Sequence, residues 1–555
     1  MAYIRPAGVQ NSNFSLGEVS AFVNLNQGPS ANDQVQANME VLYQNIDTNN
    51  IPGCAPLPST TSNLTIQWFY GRDDMGNTNY SPYYLSNTEN GDNVDNTTYS
   101  IRNGWGELNV GTNRDFMAHL LAIDTTTGIR YYAGPQNSWG WRPGCTIYKV
   151  DGTCVTPISR YTNNNILGSI PQRGVTGAPF SPIINVTSGY GINAFSEDGN
   201  NARMVFLLYS WNVNTPSITY QTYTNSSNIP DMAASEEGAE DALWLGDGGA
   251  TGFDTVAVLV QRQWWGRRIC FAKRNNGGTF NSFKVQAMFN QYEENQTQGD
   301  NNGGCLAWDP INNVIYAVYV YRIAPGPWNS GLIYSKCNVN LNGTGQVQTS
   351  GMTTYRRYNA GAIPGARSLG TAIIHNDGVY NYLATSWNRT TNGLWDIYLE
   401  IYRNNPSTNT YTKMGNTENL LIQGGLFNDG AERIRIEKFA DTEIVDSNGS
   451  PVNTYKNFVV SYVDSSNNTI LRWFRFDQNN VGTGNNALTL MDTVTLASNY
   501  RGILGRNFSE ITNQWLNSTL VMCSTANGSG NTYPWNSKAY NYQGLADVSV
   551  MLRLV

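Results

Sequence analysis

Short apolar runs separated by polar turns recur along most of the chain, and they pair into units of one apolar strand followed by one rich in aromatics and Ile. Val205–Tyr209 is followed by Ile218–Tyr223, Val256–Val260 by Arg268–Ala272, and Val314–Tyr319 by Leu332–Tyr334. Tyr380–Ala384 precedes Trp395–Leu399, Phe458–Tyr462 precedes Ile470–Phe474, and further units begin near Ile66, Phe116 and Leu520. From Val205 on, starts are about 50 to 80 residues apart, against roughly 40–50 for compact propeller repeats, so loops absorb the excess. Each unit reads as the middle hairpin of a four-stranded antiparallel sheet, and the pattern predicts an all-β chain, a β-propeller of about seven blades. Gly304-Cys305-Leu306-Ala307-Trp308-Asp309-Pro310-Ile311-Asn312-Asn313-Val314-Ile315-Tyr316 reads as inner strand, turn and second strand of one blade. The alternative is a tandem β-sandwich or jelly-roll pair, which also shows many short strands. Similar unit lengths without a compositional break favour the propeller.

The first 60 residues differ. Asn32-Asp33 can cap a helix whose Val35, Met39, Leu42 and Ile46 recur on one face, and Ile51-Pro52-Gly53-Cys54-Ala55-Pro56-Leu57-Pro58 follows as an extended connector. The expected division is residues 1–60 as an N-terminal docking arm with one helix and residues 61–555 as the propeller. A helix plugging one end of the propeller is the other reading of this segment.

Charged residues make up only 14% of the chain, well below the usual quarter, and Asn, Thr, Ser, Gly and Tyr take their place. A net charge of −7 supplies no field for wrapping a phosphate backbone, so nucleic acid is not expected as a partner. Polar residues follow Met1-Ala2-Tyr3-Ile4-Arg5-Pro6 where a secretory signal would be apolar, and no run reaches the length of a membrane span. The seven Cys form no CxxC pair, which argues against zinc ribbons and thioredoxin chemistry. Cys145 and Cys154 flank an Asp151-Gly152 turn in a candidate hairpin, where either a disulfide or two unrelated thiols fits. Asn-x-Ser/Thr sites such as Asn342 and Asn388 are expected by chance in so polar a chain.

Lys273-Arg274-Asn275-Asn276-Gly277-Gly278-Thr279-Phe280 resembles the Asp-box of sialidase-type propellers, Ser-x-Asp-x-Gly-x-Thr-Trp/Phe, through Gly277, Thr279 and Phe280. Lys273 and Asn275 stand where that family has Ser and Asp. The resemblance implies a structural turn between the outer strands of a blade and no catalytic role. Tyr3-Ile4-Arg5-Pro6 is a scrambled form of the family's aromatic-Arg-Ile-Pro motif, and the arginine's role is not carried over to Arg5.

Glycoside hydrolysis needs two carboxylates a few ångströms apart, and Asp254, Asp309, Asp377, Asp396 and Glu400 are the candidates. Asp309-Pro310 and Asn376-Asp377-Gly378 read as turn chemistry, and Asp396 and Glu400 share one face of a strand expected to be outer. With only His119 and His375, multi-histidine metal sites are excluded, while His375 with Tyr380 or Tyr382 is kept as a lyase-type pair. Asp73-Asp74-Met75-Gly76-Asn77 and Gly91-Asp92-Asn93-Val94-Asp95-Asn96 read as solvated turns before calcium loops, and no phosphate-binding loop is present. No catalytic residue, metal ligand or cofactor is therefore assigned.

Aromatic faces stack on sugar rings, and most tryptophans here are expected between blades; Trp264, Trp265 and Trp328, beside Gly or Pro, are expected to be exposed and to bind glycan. Low charge, abundant Asn, Thr, Gly and Tyr, and the arm together resemble virion proteins of the phage tail or capsid-surface type. Asn13-Phe14-Ser15-Leu16-Gly17-Glu18-Val19 is similar to short stretches near the start of some of them. This resemblance implies a non-enzymatic structural component made in the host cytoplasm and built into virions. Its partners would be other virion proteins through the arm, further copies of itself, and host glycans. A glycan-active propeller enzyme of sialidase, hydrolase or lyase type is the first alternative, and a cellular lectin-like or scaffold propeller the second.

Overall fold

The computed structural model describes strands from Ala2–Pro6 and Ile66–Tyr70 through His119–Ile123 to Arg553–Leu554, with side chains chiefly between residues 189 and 493. Among the described residues no helix is present, and seven sheets carry four or more strands. The candidate helix over residues 32–46, the connector after it and the boundary at residue 60 lie outside the described residues.

Four consecutive sheets are antiparallel meanders whose first to fourth strands follow chain order. Sheet 2 holds Gln172–Phe180, Ser188–Glu197, Met204–Asn212 and Ser217–Thr224; sheet 3 holds Glu236–Gly246, Thr255–Arg262, Arg267–Arg274 and Phe280–Ala287. Sheet 4 holds Gly304–Asp309, Val314–Arg322, Ser330–Asn340 and Gln348–Arg357. Sheet 5 holds Leu369–Asn376, Asn381–Thr391, Leu394–Asn405 and Thr410–Lys413, with Leu420–Leu426 also paired to its third strand. Sheet 1 precedes these with His119–Ile123, Arg130–Ser138, Arg142–Asp151 and Cys154–Thr162. Sheet 6 follows with Arg435–Lys438, Pro451–Val463, Thr469–Asp477 and Leu488–Thr495.

Sheet 7 combines an early strand with three late ones. Its strands Tyr500–Leu504, Ser518–Thr525 and Lys538–Gln543 are completed by Ile66–Tyr70, with Trp68 opposite Tyr540. The run near Ile66, which the sequence offers as the start of a local hairpin, is thus the outer strand of the last sheet. It also lies against Cys154–Thr162 of the first sheet. Ala2–Pro6 pairs with Thr442–Val445 at the margin of sheet 6, placing Tyr3-Ile4-Arg5-Pro6 in a strand.

The packing decides between propeller and sandwich. First strands of neighbouring sheets lie against each other from sheet 2 to sheet 6, and four apolar layers fill the spaces between those sheets. Phe206 and Leu208 meet Val256 and Val258; Leu259 and Ile269 meet Trp308 and Ile315; Tyr316 and Val318 meet Leu383 and Trp387; Ile397 and Ile401 meet Phe458 and Phe474. Each of sheets 3, 4 and 5 therefore buries both faces. Val256, Val258 and Val260 point into one layer and Ala257 and Leu259 into the next, which is why these strands are continuous apolar runs instead of alternating ones. A sandwich sheet would bury one face only, and the architecture is a β-propeller.

The expected hairpins are present in register, with Val256 opposite Ala272, Val260 opposite Arg268, and Phe458 opposite Phe474. In sheet 2 the recognised pair, Val205–Tyr209 with Ile218–Tyr223, forms the third and fourth strands instead of the middle two. Residues 273–280 connect the third and fourth strands of sheet 3, the outer-strand turn that the Asp-box resemblance implies. The Asp151-Gly152 hairpin also forms, but Cys154 pairs with Asp151 while Cys145 pairs with Tyr161. The two cysteines sit at opposite ends of the strand pair, roughly 20 Å apart at about 3.3 Å per residue, so a disulfide is excluded.

Two glycines let the inner strands approach. A Cβ at Gly370 would come 2.8 Å from Arg435 Cα, and one at Gly304 would come 2.5 Å from Glu240 Oε2. Farther out, Lys273 donates to the Leu341 carbonyl at 2.9 Å and Lys336 to the Pro406 carbonyl at 2.6 Å. Each acceptor lies just past the third strand of the next sheet, so the lysines tie neighbouring sheets together.

Buried and half-buried tyrosines pack between sheets 4 and 5, where half-buried Tyr355 and Tyr411 stack at 4.5 Å and buried Tyr334 packs edge-on against Tyr402. Burial raises the Tyr334 hydroxyl well above its usual range, reinforced by Glu400, and burial likewise raises Tyr411 and Tyr462. Tyr382 is pushed up to about 12 by burial and by Asp377. Because the folded values exceed the unfolded value of about 10, this stability is complete below that pH and lost as pH rises through the folded values. Denaturation midpoints should fall from pH 10 upward, with phenolate absorbance appearing as the chain unfolds; unchanged midpoints up to pH 12 would contradict this assignment.

Candidate functional site

Trp264, Trp265 and Trp328 lie outside the described residues, but the flanking strands fix their place in the chain. Both stretches connect a second to a third strand, between Arg262 and Arg267 in sheet 3 and between Arg322 and Ser330 in sheet 4. Successive propeller blades put this connection at the same end of the ring. In sheet 5 it shrinks to Asn392-Gly393, with φ of 52° and 79°, the left-handed pair of a two-residue hairpin turn. The expectation that other tryptophans pack between blades is met by Trp211 and Trp387, both buried, as is Trp308.

Beside the short turn of sheet 5, Arg389 and Asp396 are direct cross-strand partners, as are Trp387 and Tyr398. Tyr398 stacks on Trp387 at 4.8 Å, with the Arg389 guanidinium 5.8 Å from the tyrosine ring. Asp396 accepts the Gly425 amide at 3.0 Å and the Tyr398 hydroxyl at 3.3 Å. Half-buried Asp396 sits on the third strand of sheet 5, which is paired on both sides and is not its edge strand. Glu400 on the same strand is fully buried and takes the Tyr334 hydroxyl at 2.5 Å. These two carboxylates have different partners and different surroundings.

The remaining sequence candidates serve turns. Asp309 accepts the Ile311 and Asn312 amides and the side-chain amides of Asn312, Asn376 and Asn381, at 2.6 to 3.1 Å. Asp377 accepts the Val379 and Tyr380 amides and the Tyr382 hydroxyl. Burial would raise its carboxyl, but those three donors outweigh it and hold Asp377 below its usual value. Asp254 lies outside the described residues.

His375 does stack on Tyr382, with centroids 5.0 Å apart, so one of the two lyase-type pairs is brought together. The Tyr382 hydroxyl donates to Asp377, and its proton is held more tightly than usual, the reverse of what a base abstracting a substrate proton requires. Tyr380 carries the Arg403 guanidinium at 4.4 Å over its ring. The side chain of His119 and both acidic-Asn clusters lie outside the described residues. Among the described residues no group of three His, Cys, Asp or Glu side chains could hold a metal ion. Asn388, one of the Asn-x-Ser/Thr sites, is fully buried and has no room for a glycan.

Sequence reasoning missed the charged groups of the inner strands. Glu240 and Asp241 lie on the first strand of sheet 3, and Arg435 and Glu437 on that of sheet 6, all four buried. Arg267 Nε donates to Glu240 Oε2 at 2.6 Å, and the Leu306 amide donates to Asp241 Oδ2 at 2.7 Å across two inner strands. Arg435 Nη1 lies 4.0 Å from the Cys305 sulfur, which in turn donates to the Leu369 carbonyl at 3.5 Å. The signal was available in Glu236-Glu237-Gly238-Ala239-Glu240-Asp241, an acidic stretch leading straight into an apolar run.

No protein-family model matches this chain, and no curated protein does. Solved structures do resemble it, among them three at low sequence identity. The GH93 α-L-arabinofuranosidase of Fusarium graminearum, in complex with arabinobiose, is 10% identical over 69% of this chain and 98% of its own, with a TM-score of 0.36. The Hadza microbial sialidase Hz136 is 8% identical over 73% and 74%, with a TM-score of 0.34. Drosophila Plexin A, in complex with Semaphorin 1b, is 8% identical over 77% and 85%, also at 0.34.

Proposed function

We propose that this chain is a non-enzymatic structural component of a virus particle, of the tail or surface type, that presents one end of a β-propeller to host-surface glycans. The observation that carries the reading is the shared position of the tryptophan stretches: Trp264-Trp265 and Trp328 occupy the same connection in consecutive sheets. Loops at one end of a rigid ring are suited to stacking on sugars, and stacking needs no carboxylate. The reading is also supported by how the described carboxylates are used. Asp309, Asp377, Asp241 and Glu400 accept hydrogen bonds that hold turns or join sheets, and Glu240 is tied to Arg267. The partners would be other virion proteins through the N-terminal arm and further copies of the chain.

A glycan-active enzyme is the second reading, favoured by the acidic and arginine side chains on inner strands, where propeller enzymes place their chemistry. Incubating the purified chain with a mixture of host-surface glycans separates the two. The structural reading expects bound, uncleaved glycans by mass spectrometry, with binding weakened about tenfold or more in Trp265→Ala and Trp328→Ala, the cost of losing an aromatic platform. New cleavage products that disappear on boiling would make the enzyme reading primary. Absence of the chain from purified particles would remove the virion assignment.

A further inference from the structure

The proposed glycan-binding end has a third consecutive connection, and in sheet 5 it carries no tryptophan. The Asn392-Gly393 turn spans only two residues, and Arg389 and Asp396 beside it are only half-buried. We propose that Arg389, Asp396 and Leu421 form a subsite there for a neutral hexopyranose, gripped through two adjacent hydroxyls. The inference rests on the reading of this end as a glycan-binding surface and assigns it a position and a ligand class.

Three features converge. Arg389 and Asp396 face each other across the hairpin, a donor-only group beside an acceptor-only group. Arg389 Nε is buried and makes no hydrogen bond, its guanidinium resting near the Tyr398 ring instead of on a carboxylate. Asp396 Oδ1 is engaged by the Gly425 amide, whereas Oδ2 has the Tyr398 hydroxyl at 3.3 Å, long for an O–H···O bond. That oxygen has capacity for a better donor.

The adjoining surface is apolar and open. Leu421 is the cross-strand partner of Tyr398 and is 53% exposed, one of few large apolar side chains so exposed among the described residues. Gly424 and Gly425 follow it, both exposed, and no atom lies within 4 Å of where a Cβ on Gly425 would sit. A hexopyranose has a C–H face that suits Leu421 and a rim of hydroxyls, each able to donate and accept. Vicinal hydroxyls can donate to Asp396 and accept from Arg389 together, which neither side chain offers alone. An acidic sugar would meet the Asp396 charge, so the site favours the neutral class.

Ligand-observed NMR on the full chain tests this with methyl glucopyranoside, galactopyranoside and mannopyranoside, and with a methyl uronate for comparison. At least one neutral glycoside should bind more tightly than the uronate. Asp396→Asn and Leu421→Ser should each weaken that binding about tenfold or more, the loss of a charge-assisted hydrogen bond or of an apolar contact. The carboxamide introduced by Asp396→Asn keeps an oxygen for the Gly425 amide, and Leu421 is exposed, so melting temperatures should stay at the wild-type value. Wild-type-like binding in both variants, with loss in Trp265→Ala or Trp328→Ala, would overturn the subsite and leave the glycan-binding surface standing. Tighter binding of the uronate would overturn the ligand class. Binding of no glycan, simple or host-derived, would overturn subsite and surface together.

Discussion

Asp309→Ala is expected to destabilise the fold by about 3–5 kcal/mol, the usual cost of removing one partner from a buried, charge-assisted network. Asp309 is 1% exposed, and its two oxygens collect five N–H donors. Three of these come from the Pro310–Asn313 turn of sheet 4, whereas Asn376 and Asn381 belong to sheet 5. Asn381 continues to the Tyr316 hydroxyl at 2.9 Å, and Tyr316 donates to Asn404 at 2.7 Å, so the network spans both sheets. Alanine would strand these donors away from water. Asp309→Asn should cost less, about 1–3 kcal/mol, because one oxygen survives while the new amide faces donors. Urea denaturation of both variants checks the order; an alanine variant within about 1 kcal/mol of wild type would show that water replaces the carboxylate.

Breaking the Glu240–Arg267 pair should have an effect of similar size with a different signature. The pair is buried, 1% and 6% exposed at its side chains, and its N–O distance is 2.6 Å. Arg267→Met removes the guanidinium that the buried Glu240 carboxylate holds at 2.6 Å, at a cost of about 3–5 kcal/mol. Glu240→Leu removes the same contact from the other side. Glu240→Leu combined with Arg267→Met removes both charges together, and the double variant should recover most of either single loss, because desolvation of both ions disappears with their attraction. A double-mutant cycle by denaturation measures this. Additive losses would mean that the two side chains act through separate partners, not through their pairing.

These two networks divide what could be read in the residues from what could not. Asp309-Pro310-Ile311-Asn312-Asn313 announces a turn, since Asx chemistry is local, and the turn is present. Nothing in it announces Asn376 and Asn381, more than sixty residues away and brought in by the next sheet. Glu240 and Arg267 are likewise separated in sequence and meet only because the first and third strands of sheet 3 flank the second. Burial is equally non-local: Asp396 and Glu400 share one strand face, yet one is half-buried near a two-residue turn and the other is sealed beneath Tyr334.

Strand content, most hairpin pairings and the repeating unit were legible in the residues alone, because period, turn residues and β-branched runs act within a few residues of each other. Continuous apolar runs such as Val256–Val260 even carried the fact that both faces are buried. Other outcomes emerged with the assembled sheets: Ile66–Tyr70 completes the last one, Cys145 and Cys154 lie at opposite ends of a hairpin, and carboxylates as similar as Asp309 and Asp396 have different work. Those outcomes depend on strand register and on which sheet is placed beside which, and the latter is set by the packing of whole sheets around the ring and not by any local stretch of chain.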